Sequence, residues 1–185
     1  MNNPESGIIF TERLLLREMN PECYLQVMGL SDADIKHFFG MQSDEELVKE
    51  KERYQLGMTM SGRSFLYFHL VEKDSNLVIG WCGYHTWFPY HRRAEIGYVL
   101  NQDAYKGNGF MREAFPVILR FGFEQMNLHR IEALISPGNQ PSLKLVERAG
   151  FKKEGLLREH YMNDGIAEDS IVFSLLQHEF DKTPF

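Results

Sequence analysis

A chain of 185 residues with 43% hydrophobic and 25% charged side chains is built like one globular domain, which excludes collagen-like, coiled-coil and intrinsically disordered readings. Its net charge of −6, from 20 Lys and Arg against 26 Asp and Glu, argues against nucleic acid as the principal ligand and tolerates cationic ones. With two cysteines, no CxxC pair, no secretory leader and no apolar run of membrane-spanning length, the expectation is a cytoplasmic protein without a metal or a disulfide framework.

Residues 14–16, three leucines between Arg13 and Arg17, read as a first strand, and residues 21–30 as a short helix. Ser43 and Glu46 form a capping-box pair, so a further helix is expected from there to about Gly57. Residues 64–72 and 77–85 alternate as strands about a turn at 73–76. The next strand, 93–100, puts Ala94, Ile96, Tyr98 and Leu100 on one face and Glu95, Gly97 and Val99 on the other. A glycine-rich turn at 106–110 then opens a helix with Ala114, Val117, Ile118 and Phe121 at i, i+3, i+4 and i+7; Pro116 inside it removes a donor and is expected to kink it. Residues 130–135 form another strand, and a helix starts near Pro141 and stops at Gly150. Two last strands, about 154–161 and 168–176, flank the turn Asn163-Asp164-Gly165. The order β-α-α-β-β-β-α-β-α-β-β is a mixed α+β arrangement with about seven strands and four helices, and the whole of 1–185 reads as one domain.

The strand, glycine turn and helix over 98–121 carry the strongest chemical signal. A helix start leaves N–H groups unpaired with a partial positive charge, which favours a phosphate. Gly107 and Gly109 let the backbone approach such a group, and Lys106 and Arg112 add charge. No G-x-x-x-x-G-K-[ST] run is present, and Arg112 stands where a dinucleotide fingerprint needs its third glycine, so both common nucleotide motifs are excluded. Alone, the turn reads equally as a plain structural turn. In a second segment, Asn139 or Gln140 caps a helix and Ser142 lies in its first turn, which capping alone explains.

Together these segments resemble a family. Glu95-Ile-Gly-Tyr98, Tyr105-Lys-Gly-Asn-Gly-Phe110, Asn139-x-x-Ser142 and Glu147-Arg-Ala-Gly-Phe151, in that order, are similar to the Gcn5-related N-acetyltransferases (GNAT). The opening at 11–17 and the segments 158–161 and 173–176 resemble the RimJ/RimL-type branch, which acetylates ribosomal-protein N-termini, so the likeness covers residues 8–180. It implies a GNAT fold, with a central sheet splayed between its fourth and fifth strands, and acetyl-CoA as cosubstrate without a metal. It further implies that Lys106, Gly107, Asn108, Gly109, Phe110 and Met111 hold the pyrophosphate, and that the backbone of Tyr98, Val99 and Leu100 holds the pantetheine arm. Asn139 and Ser142 would lie near the thioester. Tyr105 stands where many relatives carry Gln or Arg, which leaves one phosphate contact in doubt.

Acetyl transfer to an amine needs a neutral amine, a stabilised oxyanion and a proton for the leaving thiolate. The resemblance implies direct attack in a ternary complex. The N–H of Val99 or Leu100 is the candidate oxyanion donor, and Ser142 the candidate acid, with Tyr161 as runner-up. The base is Glu95, His160 or a group acting through water; His160 has the residue type suited to neutral pH. Each also has a plain account, as a first-turn serine, a solvent-facing strand carboxylate or a half-buried strand histidine. His85, Trp87 and Tyr90, with Phe88 and His91, either wall an acceptor cleft or pack as hairpin aromatics. The acceptor is first a protein N-terminal α-amine and second a polyamine or aminoglycoside, because residues 91–95 also resemble polyamine acetyltransferases. A CoA-binding module without turnover is the alternative of another class. Neither nucleic acid nor membrane is an expected partner, and a homodimer is left open.

Overall fold

The computed structural model describes residues 7–56 and 62–180. Among them, eight strands form one sheet: β1 (Ile8–Phe10), β2 (Leu14–Met19), β3 (Ser64–Glu72), β4 (Val78–Phe88), β5 (Arg93–Leu100), β6 (Arg130–Ile135), β7 (Lys152–Asn163) and β8 (Ile166–Leu176), in the order β1-β2-β3-β4-β5-β6-β8-β7. Every neighbouring pair is antiparallel except β5 with β6. The helices are α1 (Pro21–Met28), α2 (Asp32–Phe39), α3 (Asp44–Leu56), α4 (Phe110–Glu124), α5 (Gln140–Arg148) and α6 (Gln177–Phe180).

The expected seven strands become eight because β1, three residues long, pairs with β2 through Ile8↔Arg17 to Phe10↔Leu15. The helix count also rises. α2 buries only Ile35, too little for a periodic stripe, yet it is well punctuated: the Ser31 side chain accepts from the Asp34 N–H, and Gly40 closes it at φ 69°. In α3 the Glu46 N–H donates to Ser43 Oγ at 3.2 Å, while the Glu46 carboxylate reaches back to the N–H of Gln42 at 2.7 Å, one residue beyond the usual box. α3 ends at Leu56, and the expected stop at Gly57 lies outside the described residues.

Alternation along β3 divides the molecule. Leu66, Phe68 and Leu70 join the main core with Leu14, Leu16, Ile79, Tyr84 and Ile96. This face is covered by α4, whose expected stripe is inside: Ala114 and Ile118 are fully buried, Val117 and Phe121 partly so. α4 runs unbroken through Pro116, which therefore costs the helix a hydrogen bond without ending it. On the other face Phe65 packs with Met19, Tyr24 and Val27, and His69 lies edge-on to Phe38 and Phe39.

β5 and β6 pair only at Arg93↔Arg130, Ala94↔Ile131 and Glu95↔Glu132, whereas β4 accompanies β5 out to Leu100. Past Glu95 the two parallel strands part, leaving the β6-facing edge of residues 96–100 without a ladder partner. This is the splay expected between the fourth and fifth strands; the extra β1 makes them the fifth and sixth.

Candidate active site

At the mouth of the splay, α4 begins with Gly109 as its N-cap at φ 83°, with no side chain capping it, and Gly107 lies at φ 77°. Both angles disfavour any residue with a Cβ, and an uncapped first turn leaves N–H donors for an anion. A brace from the far end of the chain fixes this turn. Arg13 donates from an Nη to the Asn108 carbonyl at 2.9 Å and from Nε to Glu113 at 2.7 Å. The other Glu113 oxygen accepts from Thr11 Oγ1 at 2.6 Å and from the Arg13 N–H at 2.7 Å, and the guanidinium lies 4.4 Å from the Phe110 ring centre. A hundred residues separate these partners, so no local pattern could flag Arg13 as a site residue. Lys106 is engaged by Asp103 at 2.6 Å, and Asn108 Nδ2 donates to the Ala104 carbonyl at 2.7 Å.

Inside the splay a cavity of about 260 Å³ is lined by His85, Glu95, Gly97, Tyr98, Asn139, Ser142 and Tyr161, among others. The fold thus brings together candidates from four separate segments. Asn139 caps α5 by accepting from the Ser142 N–H at 3.2 Å, which sets Ser142 in the first turn. Tyr98 stands edge-on to Phe115, its hydroxyl buried and without a hydrogen bond among the described residues; burial raises it to about 12, and the nearby Ser142 partly offsets that.

Glu95 is raised to about 7, chiefly by burial and then by the Glu132 carboxylate beside it in register, while Arg63, Thr86 and Arg93 pull the other way. His85 Nε2 lies 3.5 Å from Glu95 Oε1, and burial followed by Arg63 lowers the imidazole, so it is neutral. His85 is the extra residue of a bulge between Tyr84 and Thr86 on β4. It fits there because Gly97 faces it: a Cβ at 97 would lie 2.5 Å from the ring.

A second bulge lies in β7 between Leu157 and Tyr161, with Glu159 at φ 51° and its N–H donating to Asp169 at 2.8 Å. Beyond it Tyr161 reaches the cavity, half exposed, with its phenol raised by burial and by Glu95, whereas His160 Nδ1 lies 3.1 Å from Ser170 Oγ and outside the cavity lining. Trp87 and Tyr90 line no described cavity: Trp87 packs against the main core, and Tyr90 is 92% exposed in the turn Pro89–His91. Val99 and Leu100 continue β5 along the open edge.

On the face of the sheet away from α4, which also carries Glu95 and Gly97, lies a larger groove of about 740 Å³, between the α2–α3 connection, α3 and the floor of β3 and β4. His85 lines both spaces, so they meet there. The groove rests on α2 and on the seating of α3, neither of which sequence periodicity reveals.

Residues 13–152 match the family model described as an acetyltransferase (GNAT) domain. The chain belongs to the GNAT family. A Bacillus licheniformis relative, named as an uncharacterized N-acetyltransferase p20, is 34% identical to this GNAT chain over 93% of its length and 97% of its own. The [Ribosomal protein uS5]-alanine N-acetyltransferase of Escherichia coli K12 is 31% identical over 60% of this chain and 58% of its own length. A crystal structure of mutant forms of the spermidine/spermine N-acetyltransferase SpeG from Vibrio cholerae superposes with a TM-score of 0.66 over 90% of this chain and 98% of that one, at 22% identity, which shows the shared fold. The protein is an N-acetyltransferase of GNAT fold, with relatives among the RimJ-like ribosomal-protein enzymes.

Proposed function

We propose that this enzyme moves an acetyl group from acetyl-CoA to a primary amine, first a protein N-terminal α-amine, by direct attack with both substrates bound. The observation that carries the reading is a Glu95 carboxyl raised to about 7 in the cavity it shares with Tyr98, Ser142 and Tyr161. A base tuned to neutral pH suits an acceptor whose own pKa lies near 8 better than one near 10.

The surrounding residues fit the cosubstrate. Gly107, Asn108, Gly109, Phe110 and Met111, with Lys106 beside them, would hold its phosphates on the uncapped turn, and the open edge at Tyr98, Val99 and Leu100 would pair with its amide-bearing arm. Asn139 and Ser142 line the same cavity. Acetyl-CoA supplies an acetyl group activated as a thioester. The chain supplies the rest: Glu95 takes the amine proton, directly or through water; an N–H of Val99 or Leu100 stabilises the oxyanion; and Ser142, with Tyr161 second, delivers the thiolate proton. Neutral His85 fills the space next to Glu95 without adding a charge. We place the reaction in the cytoplasm; among the described residues no helix is long and apolar enough to cross a membrane.

The test is CoA release against Ser- and Ala-initiated peptides, spermidine, an aminoglycoside and a Lys side-chain peptide, with acetyl-CoA thermal shift on the same sample. Release with the α-amine peptides well above the acceptor-free background supports the reading. Release with spermidine alone moves the acceptor to polyamines. Stabilisation without release from any acceptor marks a binding module, and no stabilisation at saturating acetyl-CoA overturns the assignment of the turn.

A further inference from the structure

We infer that the acceptor is an amine whose body carries a carboxylate, and that the larger groove, with Lys49 and Arg63 on its wall and His69 in its floor, receives that carboxylate; the inference rests on the acetyl-transfer reading above.

The groove's charges divide into those already engaged and those still free. Both carboxylates of its lining are engaged. Glu50 accepts from the Tyr24 hydroxyl at 2.5 Å and pairs with Arg53 at 3.0 Å, and Glu46 accepts from the Gln42 N–H at 2.7 Å. Lys49 and Arg63 line the same space, and neither has an ion-pair partner among the described residues. With Glu50 paired to Arg53, the lining keeps two cations, Lys49 and Arg63, against one carboxylate without an ion pair among the described residues, Glu46.

The floor repeats the pattern. His69 is 3% exposed, and its Nδ1 lies 3.1 Å from an Nη of Arg17. A guanidinium can only donate, so Nδ1 accepts and the ring proton sits on Nε2. Burial and Arg17 together lower this imidazole to about 3, so it stays neutral, and Nε2–H is a donor with no partner among the described residues. Arg17 itself donates to the Phe38 carbonyl at 2.7 Å and stacks 3.9 Å from the Phe38 ring centre, has no carboxylate partner among the described residues, and keeps a buried Nε without a hydrogen bond. Arg17 is half-buried, and a partly desolvated guanidinium without a counter-ion carries a cost. Here it stands directly behind the donor that faces the groove, where an anionic ligand would offset the cost.

The reach is set by the sheet. His69 pairs with Trp81, four residues along β4 from His85, where the groove meets the catalytic cavity. At about 3.3 Å per residue that is roughly 13 Å, the span of a three- or four-residue extended peptide. Arg63 lies nearer, 3.2 Å from Thr86 Oγ1. A polyamine threaded along this path would meet Lys49, Arg63 and the field of Arg17, with Glu46 at the rim and Glu95 at the inner end as its carboxylates without a strong cation partner. An acidic peptide, or a free dicarboxylic amino acid, would meet donors throughout.

The test compares wild-type enzyme with the Lys49→Glu and Arg63→Glu variants. Acceptors are Ala-initiated tetrapeptides with Glu, Gln or Lys at positions two to four, free glutamate, and spermidine, at low and high salt. Two readouts are taken: kcat/KM for transfer, and equilibrium binding of the same peptides without acetyl-CoA. The wild type is expected to favour a Glu peptide over its Lys counterpart by about tenfold at low salt in both readouts, with each charge reversal shrinking the ratio and high salt compressing it. The position of Glu that gains most separates a carboxylate at Arg63 from one at His69, and free glutamate separates an amino acid from a peptide. Equal use of Glu and Lys peptides, or preference for spermidine, overturns the inference and leaves acetyl transfer standing. Preferential binding of Glu peptides with no transfer to any acceptor upholds the groove's selectivity and sinks the transfer reading. Absence of peptide binding together with absence of preference in turnover overturns the inference.

Discussion

At the scale of single residues, Glu95 is raised from its ordinary range first by its burial in the splay and then by the Glu132 carboxylate that the register sets beside it. If its carboxylate is the base, kcat/KM rises as pH climbs through about 7 and then levels off. Glu95→Gln removes that limb and lowers kcat/KM by about 10²–10⁴. Stability follows the opposite course: the fold favours the protonated form, so the contribution of this group is full below the ordinary value of 4.5 and is lost as pH rises to about 7. Denaturation of wild type and Glu95→Gln across that window measures the loss directly. Arg13 is the second residue with a clear expectation. Truncating it to Ala removes two charge-assisted hydrogen bonds from the turn, and the KM for acetyl-CoA should rise about tenfold while kcat changes less. Arg13→Lys should rescue poorly, because a single ammonium cannot span Glu113 and the Asn108 carbonyl as the guanidinium does.

At the scale of elements, α4 and β4 approach so closely that Gly122 is obligatory. A Cβ there would come within 2.1 Å of the Tyr84 hydroxyl, which is buried and donates to the Ile118 carbonyl at 2.8 Å. Gly122→Ala should cost about 1–3 kcal/mol in chemical denaturation, and adding Tyr84→Phe should recover part of it, a coupling that a double-mutant cycle reads. The same elements show what a single sequence reveals. α4 was legible because its Ala114–Ile118 stripe faces a deep core; α5 was legible because Asn139 and Pro141 are capping chemistry on its own N-terminus. α2 was not, since its evidence is one buried side chain and two caps. β7 is exposed along nearly its whole length, so no alternation marks its ends and pairing with β8 alone extends it from Lys152 to Asn163. Glu95, Tyr98, Asn139 and Ser142 were found from motif order, whereas the seating of His85 and the reach of Tyr161 each depend on a bulge, which is a property of paired strands.

At the scale of the whole molecule, the splay cavity and the larger groove meet at His85, and Glu95 stands on the same face of the sheet as the groove's floor. Acetyl-CoA at a hundredfold excess over its Kd should raise stability by about 2.7 kcal/mol, read as a shift in Tm with cofactor concentration. The splay determines how that stabilisation is distributed. Three rungs of parallel ladder, the Arg93–Glu132 ion pair and the N–H groups of His129 and Arg130 on the Arg92 carbonyl join the five strands on one side to the three on the other. Each section keeps its own antiparallel pairing, so the sheet has the makings of two cooperative units that open separately. A molecule lying in the seam and bonded to the free edge of β5 would act as a missing strand. In amide hydrogen exchange, the two sections should then lose their separate opening rates and exchange as one.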